Sequence, residues 1–321
     1  MPILVYDNEH RLVDINFRKS AVTLFIAYVL IGLFPWYSIL PLRFEDLEVY
    51  RGYLVNGSFY DDVELNSFIT FFFKEVVFYN YMSFLYTVTD DIGTTFILIK
   101  LGSFTLFCIA LYRLKVDYRV VFLLLSPLIV DFFVGQLRNS LAMSLFLVGY
   151  SSKRKLTMAS FFLLAIAVHL GVILPFVGIY FIKLNKRLLK NRYLQLGSIT
   201  VFSTFLAFSD KIFFYLIGDK RFDVYSTPNG MSFIFFVWAL CLTSSLYYAR
   251  VKEKVYNINI DIAIVGALLV ALCYISNAYF SRYLSIFYPI ILLAIGQFSW
   301  RKPVVWVMSF YFLYTFFVNF V

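Results

Sequence analysis

Two long apolar stretches, residues 120–150 and 156–182, lie between three basic clusters, and that arrangement restricts the chain to a membrane fold that doubles back on itself. The clusters are Arg113, Lys115 and Arg119, then Lys153, Arg154 and Lys155, then Lys183, Lys186, Arg187, Lys190 and Arg192. Lysine and arginine beside membrane spans collect on the cytoplasmic side, so all three clusters belong inside and each stretch must leave and return. The spacing predicts two short hairpins. Gln136 and Arg138 stand at the outer turn of the first, and His169, the only histidine in the apolar body of the chain, at that of the second. Polar groups are expensive at membrane depth and concentrate there at functional sites.

Of the 321 residues, 61% are hydrophobic and 15% charged, whereas a soluble domain carries about a quarter charged residues. Apolar runs of about 15 to 22 residues leave room for roughly ten spans and none for a separate soluble domain. The runs are apolar on every side rather than alternating, which favours helices over a β-barrel. The expected fold is all-α: a polytopic integral membrane helical bundle of about eleven transmembrane segments, some short or broken, forming one transmembrane domain over residues 1–321. The polar N-terminus ends in Arg18 and Lys19, and the run at 20–40 is too long for a signal peptide, so the N-terminus is expected to stay and to be cytoplasmic. An outer loop at 42–91, rich in acidic residues, follows. Within it Phe44, Leu47 and Tyr50 recur at helical spacing, and residues 66–89 read as a re-entrant or interfacial helix, so two amphipathic pieces are expected there. The remaining spans fall near 92–112, 193–208, 231–249, 261–277, 284–299 and 304–320, with a second outer loop at 209–230 and the C-terminus outside. The net charge of +9 sits mainly in loops assigned to the cytoplasm, so membrane orientation accounts for it and nucleic acid is not an expected partner. Cys108, Cys241 and Cys273 all fall in spans, which argues against a disulfide framework.

No HExxH, GxSxG, Walker loop or CxxC is present, so the usual soluble catalytic motifs are excluded. What remains is a set of ionisable residues placed at or just below the outer surface: Arg43, Asp46, Glu75, Arg138, His169, Arg221 and Arg282. Arg138 follows Gln136 and precedes the small residues Ser140, Ala142 and Ser144, which let a neighbouring helix approach closely. An arginine there either caps a helix or pairs with Asp131, or it clamps an anion, because its forked donors match phosphate oxygens. His169 either satisfies the groups freed by a helix break or acts as a general base near neutral pH. No second histidine lies near it, so no metal site is expected. Arg221 has a solvated charged loop as its plain alternative, and Arg282 has snorkelling to headgroups. Asp46-Leu47-Glu48 is a short acidic pattern of a kind that surface helices often produce.

The run Gly135-Gln136-Leu137-Arg138-Asn139-Ser140-Leu141-Ala142, the basic loop Lys153-Arg154-Lys155 and the apolar run ending at His169 together resemble the EpsG-like and Wzy-type polysaccharide polymerases. Arg43-Phe44-Glu45-Asp46 with Tyr50, Lys74-Glu75, Arg221 with Tyr225, and Arg282 are similar to further elements of that family. Asn139 stands where the family usually has a second glutamine, and Gly171 where it often has a serine. The resemblance implies a GT-C-type glycosyltransferase of the bacterial inner membrane, with its active site facing the periplasm. It would make O-antigen, capsule or related polysaccharide by joining undecaprenyl-pyrophosphate-linked repeat units, the growing glycan moving onto the non-reducing end of a new unit. Donor and acceptor are then both lipid-linked oligosaccharides, and a chain-length regulator of the Wzz type is a further expected partner. On this reading Arg138, Arg282, Arg221 and Arg43 hold the pyrophosphate, His169 is the base, Glu75 or Asp46 stands in reserve, and Gln136, Tyr225 and Tyr50 support. Neither a metal nor another cofactor is required.

Two other classes fit part of the pattern. A lipid-linked glycan flippase or transporter would line a path through the bilayer with polar groups, and Lys100 and Asp131 lie deep enough to serve it. An O-antigen ligase or another GT-C transferase shares the arginine-and-base logic and differs in its acceptor.

Overall fold

The computed structural model describes residues 24–26, 28–33, 45–56, 76–114, 123, 126–217, 233–253, 255, 257–276, 280–296, 298 and 302–320. Every element among them is helical. Helices satisfy their own backbone groups, which apolar surroundings demand. Ile92–Arg113, Phe233–Val251 and Ile258–Ser276 are long and apolar enough to cross a membrane, and Lys155–Val168 and Tyr283–Ile295 are shorter apolar helices. The chain is a polytopic helical membrane protein. Its Cα positions cluster into two compact units, one comprising Met1–Ile173 with Phe312–Val321, the other Leu174–Tyr311.

The first unit contains a π-helical turn, Tyr28–Leu33, then α1 (Glu45–Asn56), α2 (Val76–Thr89), α3 (Ile92–Arg113), α4 (Pro127–Val134), α5 (Leu137–Tyr150) and α6 (Lys155–Val168), closed by a 3-10 turn at Leu170–Val172. α2 and α3 meet at a tight corner where Asp90 takes φ 51°. Asp91 caps α3 by accepting the Thr94 N–H at 2.6 Å, and that hydrogen bond holds its exposed carboxyl below the usual carboxylate range. α5 is the centre of the unit, packed along α3 on one side and α6 on another. Apolar and small residues surround its axis, and a helix of that kind is buried on all sides: Ser140 through Gly149 are all buried. The contact with α6 is close. A Cβ on Gly149 would lie 3.0 Å from the Phe161 Cβ and 3.2 Å from the Met158 carbonyl oxygen.

The second unit holds α7 (Ile173–Leu188, from Leu174), α8 (Arg192–Ile217), α9 (Phe233–Val251), α10 (Ile258–Ser276), α11 (Phe280–Ile295) and α12 (Pro303–Phe320, through Tyr311). α10 is its core, packed against α8, α9 and α11. A Cβ on Gly266 would come within 2.5 Å of the Phe287 Cβ, so α10 and α11 approach at a spacing only glycine permits. The basic residues near helix ends in this unit are not all orientation signals. Arg250, 2% exposed, places its Nε 2.6 Å from Oδ1 of the fully buried Asp261, and its Nη2 donates to Gln195 Oε1 at 3.1 Å. Lys186 reaches the other oxygen of Asp261 at 2.7 Å. Gln195 in turn donates to the Leu189 carbonyl and accepts through its own carbonyl from Asn185, so one acidic side chain ties together α7, α8, α9 and α10.

The span expected at 193–208 continues as helix to Ile217, because the apolar run resumes at Ile212 after Asp210 and Lys211. The segment expected as a second outer loop therefore starts no earlier than residue 218. Of the segment at 66–89, the described part is the helix Val76–Thr89.

Candidate functional site

The site is built on two helix breaks in the first unit. At the first, α4 ends and α5 begins with two residues between them. Gly135 and Gln136 both direct their N–H groups to the Asp131 carbonyl, at 2.7 and 3.1 Å. Gln136, at φ −98° and ψ 57°, starts α5 without a side-chain cap. Its amide is engaged instead with side chains: Nε2 donates to Asp131 Oδ2 at 3.0 Å, and Oε1 accepts from Asn139 Nδ2 at 2.9 Å. Asp131 is thus held by Gln136, and no ion pair joins it to Arg138 among the described residues.

Arg138 lies in the first turn of α5, half-buried, with Nη1 3.4 Å from the Tyr79 hydroxyl. Tyr79 is buried on α2 and stands in an aromatic group contributed by three helices. Its ring centroid is 5.0 Å from that of Tyr53 and 6.4 Å from that of Tyr50, and Tyr50 also meets Phe78 at 5.3 Å and Phe96 of α3 at 6.5 Å. The helix expected from Phe44, Leu47 and Tyr50 is α1. Leu47 and Tyr50 face the unit's interior, while Asp46, one turn before Tyr50, is exposed and within electrostatic range of Asp131.

The second break is at His169, which has extended backbone (φ −154°, ψ 119°) between α6 and the 3-10 turn. Its N–H completes α6 by donating to the Ala165 carbonyl at 3.0 Å. α5 and α6 are antiparallel partners of 14 residues each. Phe146 stacks on Phe162 at 5.1 Å, and seven residues outward from that pair along each helix stand Asn139 and His169. His169 is therefore level with the first turn of α5, and the 3-10 turn that follows it packs on both helices. Arg138 and His169 belong to the same end of one hairpin.

This end combines a guanidinium, an imidazole and the N-terminus of a helix that has no side-chain cap. Both the forked donors and the helix terminus favour an anion. Among the described residues, no three His, Cys, Asp or Glu side chains converge as a metal site. Of the residues singled out in the sequence, Arg138, Gln136, His169, Tyr50 and Asp46 lie in this unit. Arg43, Glu75, Arg221 and Tyr225 are outside the described residues, and Arg282 is described only as a backbone position in the first turn of α11. Tyr79, and the Asp131 carboxylate as the partner of Gln136, gained their importance only from the structure. One tyrosine among 25 carries no mark in the sequence.

The chain matches the family model of the EpsG family over residues 24–321 and belongs to that family. No curated protein and no solved structure matches it. Membership places it with polysaccharide polymerases of the Wzy and EpsG kind and makes it a glycosyltransferase-like membrane protein.

Proposed function

We propose that this EpsG-family chain is a polysaccharide polymerase of the bacterial inner membrane, acting at the periplasmic face on undecaprenyl-pyrophosphate-linked repeat units. The observation that supports this most is the placement of Arg138 and His169 at one end of the α5–α6 hairpin. A hydroxyl at the non-reducing end of the acceptor unit attacks the anomeric carbon of the donor glycan. The new glycosidic C–O bond forms as the bond from that carbon to the phosphate oxygen breaks, and undecaprenyl pyrophosphate leaves with the electron pair. His169 takes the proton from the attacking hydroxyl. Arg138 meets the charge that develops on the diphosphate, an interaction stronger in the transition state than before it. Arg282, Arg221 and Arg43 supply further cations in this reading, with Gln136, Tyr50 and Tyr225 in support and Asp46 or Glu75 as the reserve base. Gln136, fixed between Asp131 and Asn139, keeps the start of α5 in register beneath the anion. The diphosphate is already an activated leaving group, so arginine electrostatics suffice for its departure.

The test is elongation of purified lipid-linked repeat units in detergent, where a flippase has no bilayer to act across. The wild-type chain is expected to give a ladder of longer glycans. Arg138→Ala and His169→Ala each abolish the ladder while the proteins still insert and purify as folded species. A ladder at wild-type intensity from either variant removes that residue from the site, and no ladder from the wild type turns the reading toward a flippase.

A further inference from the structure

Lys100 is a buried cation that the roles above leave unused. It lies eight residues into α3, about 12 Å from the start of the helix by its rise per residue. It is 7% exposed. Among the described residues no carboxylate pairs with it and no hydrogen bond engages it. An unpaired ammonium in apolar surroundings is among the most expensive groups a membrane helix can carry, and no described residue supplies its counter-ion.

Its neighbours indicate where. Phe96, Lys100 and Phe104 form one stripe along α3, each one turn from the next. Phe96 touches Tyr50, whose ring lies 6.4 Å from that of Tyr79, the hydroxyl partner of Arg138. Phe104 packs at 4.9 Å on Phe133 of α4, two residues from the Asp131 that holds Gln136. The stripe that carries Lys100 therefore runs along the side of α3 that meets, through Phe96, the aromatic group against which Arg138 rests and, through Phe104, α4. The lysine thus stands on the face of α3 turned to the α4–α5 break.

We propose that Lys100 is a second anion-binding residue of this site, and that together with Arg138 it makes the site selective for a diphosphate over a monophosphate on a polyprenyl lipid. The proposal rests on the reading of the site as a lipid-diphosphate site. A lysine acts as a compact point charge where arginine supplies a directed fork, and two cations from different helices suit two linked phosphates. Among the described residues nothing compensates the lysine, and the diphosphate supplies the opposite charge.

The experiment measures binding of undecaprenyl pyrophosphate and undecaprenyl monophosphate to the purified full chain in detergent, with thermal unfolding of the ligand-free protein alongside. Lys100→Met is expected to weaken diphosphate binding roughly 10-fold to 100-fold, as befits loss of a charge-assisted contact, and to erase the preference over monophosphate. Lys100→Arg retains most of both. Ligand-free Lys100→Met melts at or above the wild-type temperature, because a lone buried charge has been removed. Should Lys100→Met not fold, that result overturns the proposal through the stability arm, and Lys100→Gln reads the affinity arm independently. Wild-type diphosphate affinity in the neutral variant, with affinity lost in Arg138→Ala, removes Lys100 from the site and leaves the functional reading standing. A wild-type protein that binds both lipids equally overturns this inference and leaves the functional reading standing, whereas one that binds neither overturns both.

Discussion

Arg138 occupies a position that helix energetics alone would not choose. A cation in the first turn faces the positive end of the α5 dipole, an arrangement unfavourable by about 0.3–1 kcal/mol, so something other than helix stability keeps it. An anion at the same place meets the positive end of the dipole and the guanidinium together. Replacing Arg138 with lysine keeps the charge and loses the fork. Elongation by Arg138→Lys is therefore expected to fall roughly 10-fold, with kcat falling more than KM for the lipid diphosphate rises, in a steady-state assay over donor concentration. Equal performance by lysine would show that charge alone matters. Gln136, Arg138 and His169 were legible in the sequence because each is polar inside an apolar run. Tyr79 was not, nor was the bond that joins Asp131 to Gln136. A tyrosine in an aromatic-rich helix looks like packing, and the bond from Gln136 to Asp131 arises only when the break between α4 and α5 is formed.

At the scale of elements, the sequence located helices where apolar runs were bounded by charge: α3, α9 and α10 begin or end within about three residues of the spans read from hydropathy. The turns at Gln136 and His169 are both genuine helix breaks. Hidden from that reading was the cluster around Asp261, because basic residues near span ends already have a sufficient explanation in membrane orientation. Hydropathy treats Arg250 and Lys186 alike, yet one is buried against Asp261 and the other is about one-third exposed. The buried pair sets the larger energy. Asp261→Ala leaves Arg250 as an uncompensated buried charge and is expected to destabilise the fold by roughly 3–5 kcal/mol, read as a lowered unfolding midpoint in detergent. The double change Arg250→Met with Asp261→Leu recovers most of that loss, since an apolar pair of similar volume replaces the ions. A double variant as unstable as the single one would mean that Lys186 and Gln195 depend on Asp261 more than Arg250 does.

For the whole molecule, the proposed chemistry requires the hairpin end bearing Arg138 and His169 to face outward. α5 and α6 are each 14 residues long, about 21 Å at the helical rise, so their joined end at Lys153, Arg154 and Lys155 lies far across the hairpin from the site. The three basic residues are exposed, and on the positive-inside argument they lie in the cytoplasm. The acid-rich segment before α3 belongs on the opposite side, where exposed Thr94 marks the start of that helix. In a background with Cys108, Cys241 and Cys273 replaced by alanine, a membrane-impermeant maleimide is expected to label Thr94→Cys in intact cells. Lys153→Cys should react only after the inner membrane is permeabilised. Because α5 and α6 carry the basic loop and the site at opposite ends, the reverse pattern would turn Arg138 and His169 toward the cytoplasm. A periplasmic polymerase could not be built on that orientation, whatever the activity of its separate residues.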